Sequence, residues 1–219
     1  MLIKSENDLH PLFVSIHKNN YTPLVYNIAM QKMGFLKRLY GHFTTITKHK
    51  IEVMKLCFKC GLYKQGLLHD LSKYSFTEFI PSVKYYQGYR SPISKEKELK
   101  GFSECWLHHK GRNKHHWEYW TDRNGHDEFV SSIEMPFEYL LESACDKIAA
   151  SKVYNKDKYT DDFPLNYLNN SYEKNAMHPN TAHDLEVLLT YLKDNGEKKA
   201  FAYYKSLYKD YRNGKKITL

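Results

Sequence analysis

Apolar residues recur at helical spacing through most of this chain. Between 42 and 60, Ile46, Val53, Leu56, Cys57 and Cys60 fall on one stripe. His49 falls on the same stripe, so a helix here carries an imidazole on its inward face. Gly61 stands where a helix closes through a left-handed residue. A shorter helix is expected from about Lys64 to Lys73. Ser75 followed by Glu78 reads as a capping box, opening a helix that Pro81 keeps short. Tyr85, Tyr86 and Tyr89 lead into the loop signature Gly88-Tyr89-Arg90-Ser91-Pro92.

The pattern over 94–110 predicts one further helix, with Leu99, Phe102, Cys105, Trp106 and His109 inward and a break at Gly111. Residues 121–127 read as loop. Pro136 opens the strongest helix, Phe137 to Tyr154. Its large apolar face is Phe137, Leu140, Leu141, Ala144, Cys145 and Ile148, and beside it runs a small polar face of Ser143, Asp146, Ala149 and Ala150. Residues 155–180 read as a long loop with one short helix. Two amphipathic helices, 181–194 and 196–212, close the chain, with Leu185, Leu188, Leu189 and Leu192 packing inward. At the start, residues 1–22 read as a loosely packed arm, and Pro23 as the opening of a helix through Leu24, Ile28, Phe35, Leu36 and Leu39. No stretch alternates with the period of a strand, so the expected fold class is all-α.

Composition changes this picture in three ways. A length of 219 residues suffices for a proper core. No stretch approaches the ~20 apolar residues of a membrane span, and Met1-Leu2-Ile3-Lys4-Ser5-Glu6 has no apolar signal core, so a soluble, cytoplasmic protein is expected. The four cysteines, Cys57, Cys60, Cys105 and Cys145, sit in apolar helical contexts and read as reduced core residues. The C-x-x-C pair at Cys57 and Cys60 lacks the second pair that a zinc site needs. A formal charge of +8 favours an anionic partner: a nucleotide, a nucleic acid or another phosphate ester. The lysines near the C-terminus account for part of that charge as a solvated face.

The chemistry gathers around His69-Asp70, behind the apolar pair Leu67-Leu68. Burying either side chain is costly unless a partner satisfies it. His49, His109, His115, His116 and Asp146 are the available partners. Imidazole nitrogens and carboxylate oxygens suit Zn, Mn, Fe or Ni, and an aspartate beside a histidine can bridge two metals. Asp146, framed by Ser143, Ala149 and Ala150, leaves room for a ligand beside it.

These residues resemble the HD-domain superfamily of metal-dependent phosphohydrolases, named for the His-Asp pair. The match rests on His49, His69-Asp70 and Asp146 in Cys145-Asp146-Lys147, with Lys73 following Ser72 where the superfamily usually has Gly-Lys. It covers roughly residues 42–153. The segment His109-Lys110-Gly111-Arg112-Asn113-Lys114-His115-His116 is similar to the His-x3-Asn-x-His-His signature of an uncharacterised HD-like family of bacteria and phages. The segment Met135 to Ser151 resembles that family's second motif.

The resemblance implies an HD-domain-like helical bundle with extra C-terminal helices. It divides the chain into an N-terminal arm and helix (1–41), a metal-binding core (42–154) and a C-terminal loop and helices packed on the same domain (155–219). It implies His49, His69, Asp70, His109, His115 and Asp146 as ligands to a divalent transition metal, two ions in all, drawn from Mn, Ni, Co, Zn or Fe. The expected activity is hydrolysis of a phosphoester or phosphoanhydride, with a nucleotide or cyclic nucleotide as substrate. Asp70, Lys73 and His115 would be catalytic, and Lys73, Arg112, Lys114 and His116 would bind substrate. His115 and His116 would point apart if their segment were helical, one a ligand and the other a donor to substrate. Trp117, Tyr119 and Trp120 read first as core packing and second as a base-stacking surface. His108, His42, His126, His178 and His183 read as surface, loop or outer residues. Two other classes stay open: a di-iron oxygenase on the same ligand order, and a non-catalytic basic helical protein that binds nucleic acid.

Overall fold

The computed structural model of the chain describes residues 33–123 and 130–219. It is all-α apart from one small hairpin. The N-terminal arm and the start of the Pro23 helix lie outside the described residues, as does His126.

Helix α1 runs from Phe35 to Cys60, starting before the 42 that periodicity marks. Its buried stripe is His42, Ile46, Val53, Leu56, Cys57 and Cys60. Gly61 closes it at φ 86, and its amide reaches back to the Phe58 carbonyl at 3.1 Å. Helix α2, Tyr63–Leu68, folds back on α1. Gly66 permits that approach, since a Cβ there would stand 3.0 Å from the Cβ of Cys57. Lys50 ties the two helices together by donating to the carbonyls of Leu67 (2.7 Å) and His69 (2.9 Å). Asp70, at φ 54, then turns the chain into a 3-10 turn over Leu71–Tyr74.

Helix α3 spans Phe76–Tyr85. The capping box does not form: the Ser75 hydroxyl is buried without a partner, and the Glu78 carboxylate turns to two histidines instead. The single helix expected over 94–110 is two, α4 (Pro92–Lys100) and α5 (Glu104–Lys110). Gly101 separates them at φ 82, and the Ser103 side chain caps α5 by accepting the Trp106 amide at 3.0 Å. As a result Leu99 and Phe102, expected inward, are 61% and 49% exposed.

After a 3-10 turn at Trp117–Trp120 comes a hairpin that periodicity did not predict. Strand β1 (Thr121–Arg123) pairs antiparallel with β2 (Val130–Ser132), Asp122 facing Ser131. Helix α6 covers Phe137–Asn155. The stretch expected as loop holds a 3-10 turn (Lys156–Lys158) and two short helices, α7 (Phe163–Asn169) and α8 (Glu173–Ala176). Helix α9, Pro179–Arg212, is interrupted at Gly196 (φ 76, ψ 161), which gives the two helical segments expected there.

The core forms where α1, α6 and α9 pack on one another. Leu56, Leu141, Ile148, Leu188, Leu189, Leu192 and Tyr204 are fully buried in it. Cys57, Cys60 and Cys145 lie in the same core, and all four cysteines are free and buried. Helices α3, α4 and α5 form a second layer that rests on α1 through α3. No described helix is long and apolar enough to cross a membrane.

Candidate metal centre

Four separate pieces of chain deliver side chains to one point beside that core. His49 projects from the inward face of α1. His69 follows the last residue of α2, its amide bonded to the Gln65 carbonyl at 2.7 Å. Asp70 comes next, and its left-handed backbone brings its carboxylate back to its own neighbour: Oδ2 lies 3.3 Å from His69 Nε2. His109 sits near the end of α5, where Asn113 donates to its carbonyl at 2.8 Å. His115 and His116 follow on a stretch of turns, with His116 extended (φ −93, ψ 131). Asp146 projects from α6, its Oδ1 2.8 Å from His49 Nε2.

Three overlapping groups result. His49, His69, Asp70 and Asp146 form the first; Asp70, His109, His115 and His116 form the second; His69, His115 and Glu142 form a third. Within each group the donor atoms all lie within 4.8 Å of one another. Asp70 belongs to the first two, with one oxygen toward each. Its Oδ2 faces His69 (3.3 Å) and His49 (3.9 Å), and its Oδ1 faces His109 (3.2 Å) and His115 (3.4 Å). Asp70, His69, His109 and His115 are at most 2% exposed.

The fit to a metal is tested by what these atoms lack. His69 Nε2, His115 Nε2 and Asp70 Oδ1 are buried without a hydrogen-bond partner, while Asp70 Oδ2 is ion-paired with Lys73. Orphaned buried polar atoms cost roughly 1–3 kcal/mol each, more when charged. Here they converge, and they are the donor types a divalent transition metal takes. The buried His/Asp groups could therefore hold a metal ion.

The far sides of the rings are satisfied. Glu142 Oε1 accepts from His69 Nδ1 at 2.9 Å and stands 3.2 Å from His115 Nδ1. Glu78 accepts from His109 Nδ1 at 2.8 Å and from His108 Nδ1 at 2.7 Å. A carboxylate behind Nδ1 fixes the tautomer that leaves Nε2 bare toward the centre. Neither glutamate is evident in the chain pattern. Glu78 resembles a cap residue, while Glu142 lies four positions before Asp146, a spacing that places both on one helical face.

Charge follows the geometry. Burial works against a charge on each imidazole. It holds His49 below the ordinary value, and His116 further below because His115 and His109 crowd it. At His69 and His109 the carboxylate of Asp70 overrides burial and raises the value, helped by Glu142 and Glu78 respectively. Burial also opposes charge on the aspartates, yet both stay well below the usual carboxylate range: Asp70 through His69, Lys73 and His109, Asp146 through His49 and His69.

The structure thus brings together His49, His69, Asp70, His109, His115 and Asp146. It adds His116, whose Nε2 lies 3.0 Å from His109 Nε2; the segment is not helical, so the neighbouring imidazoles need not diverge. Lys73 lies 2.5 Å from Asp70 Oδ2. Burial would strip its proton, but Asp70 and Asp146 hold it protonated, above the ordinary lysine range. Arg112 and Lys114 are not brought to the cluster. Both are exposed: Arg112 reaches the His108 carbonyl (3.4 Å), and Lys114 lies over the rings of Tyr119 and Tyr139, 5.7 and 5.3 Å from their centroids. Trp117 and Trp120 pack against the core, their first expected role. His42, expected at the surface, is 5% exposed between the rings of Phe79 and Tyr86.

A protein-family model described as "Family of unknown function (DUF5662)" matches residues 38–191. No curated protein and no solved structure matches the chain.

Proposed function

We propose that this chain, which belongs to the DUF5662 family, is a two-metal phosphohydrolase that cleaves a phosphoester or phosphoanhydride. One observation carries the reading: the buried carboxylate of Asp70 turns one oxygen toward each of two histidine groups. With a cation in each group, Asp70 would help to hold both. The resemblance of His49, His69-Asp70 and Asp146 to the HD-domain pattern supports it, and a net charge of +8 suits a phosphate-bearing substrate.

His49, His69 and Asp146 would hold one cation, and His109, His115 and His116 the other. Metals bound there supply a water of lowered pKa (~7) and neutralise charge on the phosphoryl oxygens. Glu142 and Glu78 keep the ligating rings in one tautomer and one orientation. Lys73, protonated and beside Asp70, is placed to donate to a phosphate oxygen at the edge of the cluster. The helix packing around His69, His109 and His115 keeps bulk water out, which strengthens each of these interactions. Two supports for a nucleotide substrate were the net charge and the Trp117–Trp120 stretch; with both tryptophans packed on the core, charge alone stands behind it.

The same donors accept iron, so metal identity separates hydrolysis from oxygenation. The test is elemental analysis of the purified protein beside Asp70→Ala and His69→Ala, with a phosphoester panel run on the metal-loaded forms. The expected result is about two divalent ions per chain, lost in both variants, with hydrolysis lost by about a hundredfold or more. Full hydrolysis in Asp70→Ala would sink the reading. Iron with oxygen uptake, and no phosphoester turnover, would replace it with the oxygenase.

A further inference from the structure

The cluster is closed around most of its donors and open at one place. His69, Asp70, His109 and His115 keep 2% or less of their side chains exposed, whereas His49, Asp146 and Lys73 keep 12%, 18% and 26%. His116, also partly exposed, has the ring of Trp106 against it, with 4.7 Å between centroids. A substrate therefore reaches the centre past His49, Asp146 and Lys73. Two helical faces flank that opening. On α6, Asp146, Ala150 and Tyr154 follow one another at four-residue spacing and share a face. On α1, Thr45 and His49 do the same. Beyond the opening, Thr45, Lys73, Tyr86 and Tyr154 line one cavity. Thr45 holds Tyr86 there through a hydrogen bond of 3.1 Å between their hydroxyls. Tyr154 is not tied down in this way. It is 39% exposed, makes no hydrogen bond among the described residues, and stands in electrostatic reach of both Lys73 and Asp146.

We propose that the substrate lies along this face of α6, with its phosphate at the open edge of the cluster, its organic group over Ala150, and Tyr154 holding that group by ring and hydroxyl. The inference rests on the hydrolase reading above and names the substrate class: a phosphate ester whose alcohol carries an aromatic or heteroaromatic ring. Reach is the first reason. Asp146 and Tyr154 are eight residues apart, about 12 Å along the helix axis, further than a phosphate alone extends. Room is the second. Ala150, between them, offers only a methyl, so the path along the face is unobstructed by its own side chain. Chemistry is the third. The exposed ring of Tyr154 gives a flat group a face to stack on, and its phenol can donate to a ring nitrogen or a hydroxyl. Tyr86 brings a second ring to the same cavity. In the reaction, water adds to phosphorus and the ester P–O bond breaks. Inorganic phosphate and the free alcohol leave, the alcohol oxygen taking a proton. Tyr154 is a substrate-binding residue for the leaving alcohol and takes no part in that proton transfer.

The experiment uses the full-length, metal-loaded protein with three probes: adenosine 5′-monophosphate, ribose 5-phosphate, which lacks the base, and inorganic phosphate. Each is read by calorimetric binding, and the two esters also by turnover. Wild type is expected to bind adenosine 5′-monophosphate about tenfold or more tightly than ribose 5-phosphate, the effect of one stacked base. Tyr154→Leu should remove most of that preference with metal content unchanged, and Tyr154→Phe, which keeps the ring, should recover most of it. Ala150→Leu tests the path itself, since leucine suits a helix and fills the face between Asp146 and Tyr154. It should weaken both esters about tenfold while inorganic phosphate still binds. Equal binding of the two esters by wild type, or adenosine 5′-monophosphate bound equally well by Tyr154→Leu and Ala150→Leu, would overturn the proposal. So would binding of neither ester, whatever other phosphates are cleaved. Binding of adenosine 5′-monophosphate that both variants weaken, with no turnover of either ester, would leave the groove standing and remove the hydrolase reading.

Discussion

At the scale of single residues, Asp70 combines near-complete burial with a left-handed backbone. A non-glycine residue in the left-handed region costs about 1–2 kcal/mol, and Asp70 adopts φ 54. That turn lets two successive side chains reach the same point. Glu142 is its counterpart on the outer side, because one oxygen serves both His69 and His115, one from each of the two groups that share Asp70. Glu142→Gln should therefore lower affinity at both positions, by roughly 10–100-fold, measured by competition with a chromogenic chelator. Glu78→Gln, behind His109, should weaken one position more than the other. If Glu142→Gln binds two ions as tightly as wild type, the shared carboxylate has no positioning role. The inner set was legible in the chain because His-Asp adjacency and inward-facing histidines are rare on helices. The outer set was not, because a glutamate on a helix has an ordinary explanation at every position, and its partner is a ring far away in sequence.

At the scale of elements, the long helices were legible and their joints were not. Apolar periodicity finds α1, α6 and α9 because each buries a stripe over several turns. It runs α4 and α5 together because the apolar residues on either side of Gly101 happen to continue the period. The hairpin was missed because strands of three residues are too short to display alternation. The most consequential joint is the contact of α2 with α1, which sets where His69 and Asp70 stand. Gly66→Ala would force a methyl to within 3.0 Å of Cys57 Cβ and 3.1 Å of the Phe58 ring. Overpacking of this kind costs roughly 1–3 kcal/mol. The expected outcome is a lower urea midpoint together with weaker metal binding, although residue 66 touches no ligand. A destabilised protein with unaltered metal affinity would mean that α2 does not govern the cluster.

At the scale of the whole molecule, the cluster lies where α1, α2, α5 and α6 meet, so its donors converge only when the helices pack. A cation bound there binds the folded chain and not the unfolded one. At a free concentration a hundred times its dissociation constant it should add about 2.7 kcal/mol, or roughly 5–10 °C in Tm for a chain of this size. Thermal unfolding with and without a chelator, followed by readdition of Mn, Ni, Co or Zn, checks it. An unchanged Tm at saturating metal would show that the imidazoles do not bind it. The all-α class was legible at this scale, because no alternating stretch competes with the helical one. The depth of His42 was not, since a polar residue early in a helix gives no sign of the aromatic rings that later elements lay over it.

The four thiols have a use of their own. Cys57, Cys60 and Cys145 are sealed between α1, α6 and α9, while Cys105 is sealed under α5 beside Ser82. Each becomes reactive only when its own surroundings open. The native sequence thus carries a set of internal clocks: alkylation rates read peptide by peptide would time the opening of the central core against that of the α3–α5 layer, with no label introduced.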